Sequence, residues 1–138
     1  MADALAALAD GGVLLGGGTV LVSEIAGAPN QSSWIDLQGI PTLHELEVLG
    51  DFLSVGAMVT LAHVAASPLV TVEWNALAQA ALAVGNPNVR RAATVGGNLA
   101  WGGDLRVALL VLNAIVDEEG VGGPCAIITS IRRARRRR

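Results

Sequence analysis

Apolar positions fall into short blocks separated by glycine, proline and small polar residues, and the spacing within each block suggests its structure. Residues 2–9 carry Ala or Leu at nearly every position, which predicts a short helix closed by Gly11-Gly12. Val13-Leu14-Leu15 predicts a buried strand running straight into Gly16-Gly17-Gly18-Thr19. Residues 19–25 fit a helix or an extended run equally well, and 29–33 read as a loop. Residues 34–37 predict a strand, with Gly39 and Pro41 punctuating its exit. Leu46–Leu49 and Phe52–Val55 flank Gly50-Asp51, the signature of a β-hairpin with a primed turn. Thr60 stands where a helix N-cap belongs, ahead of Leu61–Ala66, and Ser67-Pro68 ends that helix. Leu77, Ala81 and Val84 recur at helical spacing, so residues 72–84 predict the strongest helix, stopped by Gly85-Asn86-Pro87. Asp104 is placed to cap a further helix through Leu112. Val116 then enters a Glu-Glu-Gly turn, and residues 125–128 predict a last strand. Short strands mixed with helices, including a hairpin, read as an α+β fold.

Composition narrows the classes of function. A chain of 138 residues suits one domain, and 52% hydrophobic against 15% charged residues excludes disorder of the whole. With three Trp, one Phe and no Tyr, the core is built from Ala, Val, Leu and Ile, and platforms for stacking single-stranded nucleic acid are scarce. Net charge is −3, yet six of the nine basic residues lie at 132–138, leaving three against all twelve acids in the body. An acidic body disfavours nucleic acid and anionic membranes. Residues 1–131 are expected to form the domain, with a subdomain break near 50–60, and 132–138 a disordered basic tail. Cys125 is the single cysteine, which excludes an internal disulfide and a cysteine-held zinc or iron–sulfur site and suits a reduced cytoplasmic setting. Residues 1–4 lack the basic region of a signal peptide, and the longest apolar run, 108–116, is far short of the roughly 18–20 residues of a membrane span.

The candidate chemistry lies in two glycine-rich turns, Gly16-Gly17-Gly18-Thr19 and Thr94-Val95-Gly96-Gly97-Asn98. Glycine lets the backbone approach a ligand closely, and successive N–H groups form a nest for anionic oxygens. Thr19 or Thr94 adds a hydroxyl and Asn98 an amide, so the pair suits a phosphate or diphosphate without any lysine. Familiar nucleotide signatures are absent: the first turn has no P-loop lysine, neither turn has the glycine spacing of a dinucleotide fingerprint, and there is no Gly-x-Ser-x-Gly elbow. His44 and His63 are isolated, so no catalytic base is assigned. Asp104 reads equally as a helix cap or as an acceptor for a ligand hydroxyl. Trp34, Trp74 and Trp101 read as packing residues rather than stacking partners, with Trp101, three residues beyond Asn98, the one exception to watch.

Taken in order, these segments resemble the FAD-binding domain of molybdenum hydroxylases, the family of the carbon monoxide dehydrogenase medium subunit and the xanthine dehydrogenase flavin segment. The likeness runs over roughly residues 3–116. It is carried by Leu14-Leu15-Gly16-Gly17-Gly18-Thr19-Val20-Leu21, Gly56-Ala57-Met58-Val59-Thr60-Leu61, the Ala-rich helix from Asn75, Arg90-Arg91-Ala92-Ala93-Thr94-Val95-Gly96-Gly97-Asn98, and Asp104-Leu105. The resemblance implies a two-subdomain α+β fold, PCMH/vanillyl-alcohol-oxidase-like and C-terminally truncated. It implies FAD as cofactor, held by Leu15, Gly16, Gly17, Gly18, Thr19, Val20 and Leu21 together with Thr94, Val95, Gly96, Gly97 and Asn98, with Asp104 near the ribityl or adenosine part. It further implies an electron-transfer module that works with a [2Fe-2S] small subunit and a molybdopterin-binding large subunit, where hydroxylation occurs. The alternative is a non-catalytic remnant of that domain with weak or no flavin binding. The chain departs from the family pattern in three places: Val20 replaces an Asp, Arg91 replaces an Asn, and the loop between Asn98 and Asp104 is about three residues shorter.

Overall fold

The computed structural model describes residues 2–20, 33–118 and 126–132. Helix α1 (Ala2–Ala9) ends at Gly11 and leads into β1 (Val13–Leu15), which pairs in parallel with β2 (Trp34–Asp36). A parallel pair needs a long crossover, and the first glycine turn opens it at the carboxyl end of β1. Leu21 and the rest of the crossover up to residue 32 lie outside the described residues, as does most of the undecided segment 19–25. A 3-10 turn (Pro41–His44) then delivers the chain to the hairpin of β3 (Leu46–Leu49) and β4 (Phe52–Val55). Gly50 takes φ +62 while Asp51 does not take a positive φ, the pattern of a type II′ turn and the reason the Gly-Asp pair predicts this hairpin correctly.

Four antiparallel strands make the main sheet, in the order β3-β4-β6-β5, with β5 at Ile115–Glu118 and β6 at Ala126–Arg132. The last strand is longer than the sequence suggests. Arg132 pairs with Phe52, so the tail expected from 132 begins one residue inside the sheet. Val116 is likewise inside β5 rather than at a turn, while Cys125 and residues 133–138 fall outside the described residues.

The helices are α2 (Leu61–Ala66), α3 (Pro68–Glu73), α4 (Asn75–Ala83), α5 (Pro87–Ala92), α6 (Val95–Ala100) and α7 (Leu105–Val111). Thr60 caps α2 by accepting from His63 N at 3.2 Å. The helix predicted over 72–84 is instead two, broken at Trp74, whose φ of −121 and ψ of 42 leave the helical region. The break lets Trp74 sink into the core, where Nε1 donates to Ile131 O at 3.1 Å. Asn86-Pro87, expected only as a stop, also starts α5: Asn86 Oδ1 accepts from the N–H of Asn88 and Val89, and Pro87 occupies the first turn, where its missing N–H costs nothing.

Two hydrophobic clusters result. The larger joins Leu53, Val55 and Ile131 of the sheet to Leu61, Trp74, Leu77 and Leu105 of the helices. The smaller gathers Ile35, Leu37, Leu43, Ala57 and Met58 beneath α1 and β1. Residues 56–60 pass from one cluster to the other, and the candidate site lies beside that passage.

Candidate functional site

Both glycine turns open onto one cleft of about 330 Å³. Gly16, Gly17, Gly18, Thr19 and Val20 line it from one side and Thr94, Gly96, Gly97 and Asn98 from the other. Their juxtaposition is built from backbone. Gly17 lies so close to the end of α5 that a Cβ there would stand 1.7 Å from Ala92 O, and a Cβ on Gly16 would stand 3.1 Å from Thr94 Oγ1. Gly18 closes the turn at φ +66, a conformation that favours glycine.

The two turns differ in how their amides are used. None of the N–H groups of Gly16, Gly17, Gly18 and Thr19 donates to a partner among the described residues. Four consecutive donors on an exposed to half-buried turn are what an anionic group requires.

The second segment is not an open nest. Residues 95–100 form α6, with Thr94 as its N-cap. Val95 N donates to Val59 O at 2.9 Å, Gly96 N to Ala57 O at 2.8 Å, Gly97 N to Thr94 Oγ1 at 3.1 Å and Asn98 N to Thr94 O at 2.9 Å. All four amides that sequence reasoning offers to a phosphate therefore serve the fold. Thr60 and Thr94 form an isolated antiparallel bridge, and Leu61 N donates to Ala93 O at 2.9 Å, so the starts of α2 and α6 are stitched together. Gly96 is needed for this stitching, since a Cβ would stand 2.8 Å from that of Ala57, whereas at Gly97 the only near atom is Thr94 Oγ1 at 3.0 Å.

The remaining predicted residues are distributed unevenly. Asn98 lines the cleft, and its Oδ1 accepts from Leu105 N at 3.2 Å, which makes it the side-chain cap of α7. That role had been an option for Asp104, which stands at the N-cap position of α7 but is exposed, makes no capping hydrogen bond and does not line the cleft. Leu15 and Val95 belong to the elements that carry the two turns but are not on the cleft wall. Sequence reasoning missed the apolar walls, Leu14, Leu37, Met58, Val84, Val89 and Ala93, because they come from five different segments of the chain. Trp101 stands at the cleft. No charged side chain lines it among the described residues. His44 and His63 are exposed and apart from it, and no three His, Cys, Asp or Glu among the described residues gather as a metal site. No helix among them is long and apolar enough to cross a membrane.

The sequence pattern of the FAD-binding domain in molybdopterin dehydrogenase matches residues 1–126. The chain belongs to this family. The nicotine 6-hydroxylase medium subunit of Paenarthrobacter nicotinovorans is 34% identical over 124 residues, covering 88% of this chain and 44% of that protein. The nicotinate dehydrogenase FAD-subunit of Eubacterium barkeri is 32% identical over 119 residues, covering 80% of this chain and 38% of that protein. Among solved structures, a carbon monoxide dehydrogenase from Hydrogenophaga pseudoflava that lacks the Mo-pyranopterin moiety superposes with a TM-score of 0.81 at 28% identity, covering 91% of this chain and 46% of that one. This FAD-binding-domain chain thus has the α+β fold of that structure and spans under half the length of these relatives.

The residues present suit the group that the family name implies. Among the described residues, the amides at 16–19 have no partner and match a diphosphate, apolar walls match a planar ring, and no carboxylate lines the cleft to repel the anion.

Proposed function

We propose that this chain binds FAD, with the diphosphate against the backbone amides of Gly16, Gly17, Gly18 and Thr19. The observation that carries this reading is the row of four amides without a partner among the described residues, on a turn that lines a cleft whose other side is Thr94, Gly96, Gly97 and Asn98. Thr94 offers its hydroxyl hydrogen, because its oxygen already accepts from Gly97, and Asn98 offers Nδ2, because Oδ1 is committed to Leu105. Leu15 and Val95 belong to the elements that carry the two turns, while Gly96 and Val20 line the cleft itself. The bound flavin supplies electron transfer; the chain's own part is to hold and orient it. By analogy with relatives named as medium subunits and FAD-subunits, the chain serves a cytoplasmic oxidoreductase of the molybdenum-hydroxylase type, beside a molybdopterin-binding large subunit and a [2Fe-2S] small subunit.

The test is titration calorimetry of the purified chain with FAD, together with its visible spectrum after removal of free flavin. Saturable binding with a retained flavin band supports the reading, and its absence overturns it. One observation favours a second reading, a remnant with weakened affinity: the four amides of 95–98 are spent on the fold. It predicts FAD binding too weak to survive desalting.

A further inference from the structure

We propose that Trp101 is a stacking platform for a planar heterocycle of the bound dinucleotide, an inference that rests on the FAD reading of the cleft. Trp101 is the one aromatic side chain among the described residues that line the cleft, and it leaves 48% of its surface exposed. The other two tryptophans are placed differently: Trp74 is buried and hydrogen-bonded to Ile131, and Trp34 lies on β2 away from the cleft wall.

The support of Trp101 is ordered by several bonds. Its N–H donates to Gly97 O at 3.2 Å, closing α6. The chain reverses at Gly102, with φ +75, and Gly103 N donates to Asn98 O at 2.7 Å. Arg106 reaches back from α7, its Nε donating to Leu99 O at 2.8 Å and its Nη2 donating to the same oxygen. An indole held on so tied a loop loses little freedom when a ring settles on it. Stacking fits this cleft because its apolar walls and lack of charged lining residues favour a flat aromatic surface over a polar one. FAD carries two such rings, isoalloxazine and adenine, one on each side of the diphosphate; both offer the same chemistry to an indole.

The experiment is calorimetry of the full chain with FAD, FMN and ADP, comparing wild type, Trp101→Ala and Trp101→Phe. Trp101→Ala should weaken FAD binding about 5- to 100-fold, the range seen when a stacking aromatic is removed. Trp101→Phe should recover most of that loss, and the melting temperature should stay within about 2 °C because a half-exposed side chain leaves no core cavity. The ring is isoalloxazine if the FMN arm weakens and the ADP arm does not, and adenine in the reverse case. Wild-type FAD affinity in Trp101→Ala, or equal losses in both arms, would overturn the stacking role while leaving FAD binding intact. Failure of the wild type to bind any of the three would overturn the FAD reading, and this inference with it.

Discussion

Gly17→Ala probes how the two halves of the cleft are held against each other. The added Cβ would lie 1.7 Å from Ala92 O and 2.6 Å from Ala92 C. Carbon and oxygen meet comfortably at about 3.3 Å, so relief requires roughly 1.5 Å of movement. Both sides are backbone, and no rotamer can give way. The α5 side is pinned, with Ala93 N donating to Val89 O at 2.7 Å and Ala93 O accepting from Leu61 N at 2.9 Å. The glycine turn has no such ties at 16–19 among the described residues and is the side that yields. Overpacking of this kind costs about 1–3 kcal/mol. For a chain of this size that lowers Tm by about 3–15 °C. The same displacement takes the turn's N–H groups out of reach of a ligand oxygen. Each hydrogen bond to a charged group is worth about 1.5–3 kcal/mol, so losing two weakens binding by about 100-fold or more. Thermal melts give the first quantity and calorimetry with FAD the second. Gly39→Ala is the control, since nothing lies within 4 Å of its Cβ position. If Gly17→Ala melts and binds like wild type, the turn is not wedged against α5 as described and the reasoning fails.

Other substitutions separate stability from binding. Asn98→Ala removes the acceptor for Leu105 N and should cost about 1 kcal/mol in urea denaturation. Asn98→Asp keeps that acceptor but puts a negative charge into a cleft without charged lining, so FAD affinity should fall about 10-fold or more with little loss of stability; equal effects of the two variants on binding would contradict this. Thr94→Val removes the cap on Gly97 N and should cost about 1–2 kcal/mol, with Thr94→Ser restoring most of it in the same assay. Trp74→Phe leaves the buried Ile131 carbonyl without its indole donor and should cost about 1–3 kcal/mol in urea denaturation while FAD affinity, read by calorimetry, is unchanged.

Local chemistry in the sequence was enough for some elements. The II′ turn at Gly50-Asp51 and the cap at Thr60 depend on neighbours a few residues away, and both are where the pattern places them. Features set by distant partners were hidden. The break at Trp74 exists because the indole reaches Ile131, 57 residues on. Residues 95–100 read as a turn because two glycines argue against a helix. They are helical because Thr94 caps them and because Gly96 must pass within reach of Ala57 without a side chain. The same tertiary contacts, to Val59 and Ala57, occupy amides that look free in the sequence. The convergence of residues 16–19 and 94–98 had no local signal; the sequence offered two glycine-rich turns of like chemistry and a family resemblance that joins them. Asn98 rather than Asp104 caps α7 because the short loop folds back over it, as the bond from Gly103 N to Asn98 O records.

The central claim, that the amides of residues 16–19 receive the FAD diphosphate while those of 95–98 are held by the fold, is open to direct observation by amide-resolved NMR. On titration of isotope-labelled chain with FAD, the N–H resonances of Gly16, Gly17, Gly18 and Thr19 should move downfield, and those of Val95 and Gly96 should move far less. Saturable FAD binding that leaves the residues 16–19 resonances in place would contradict the account.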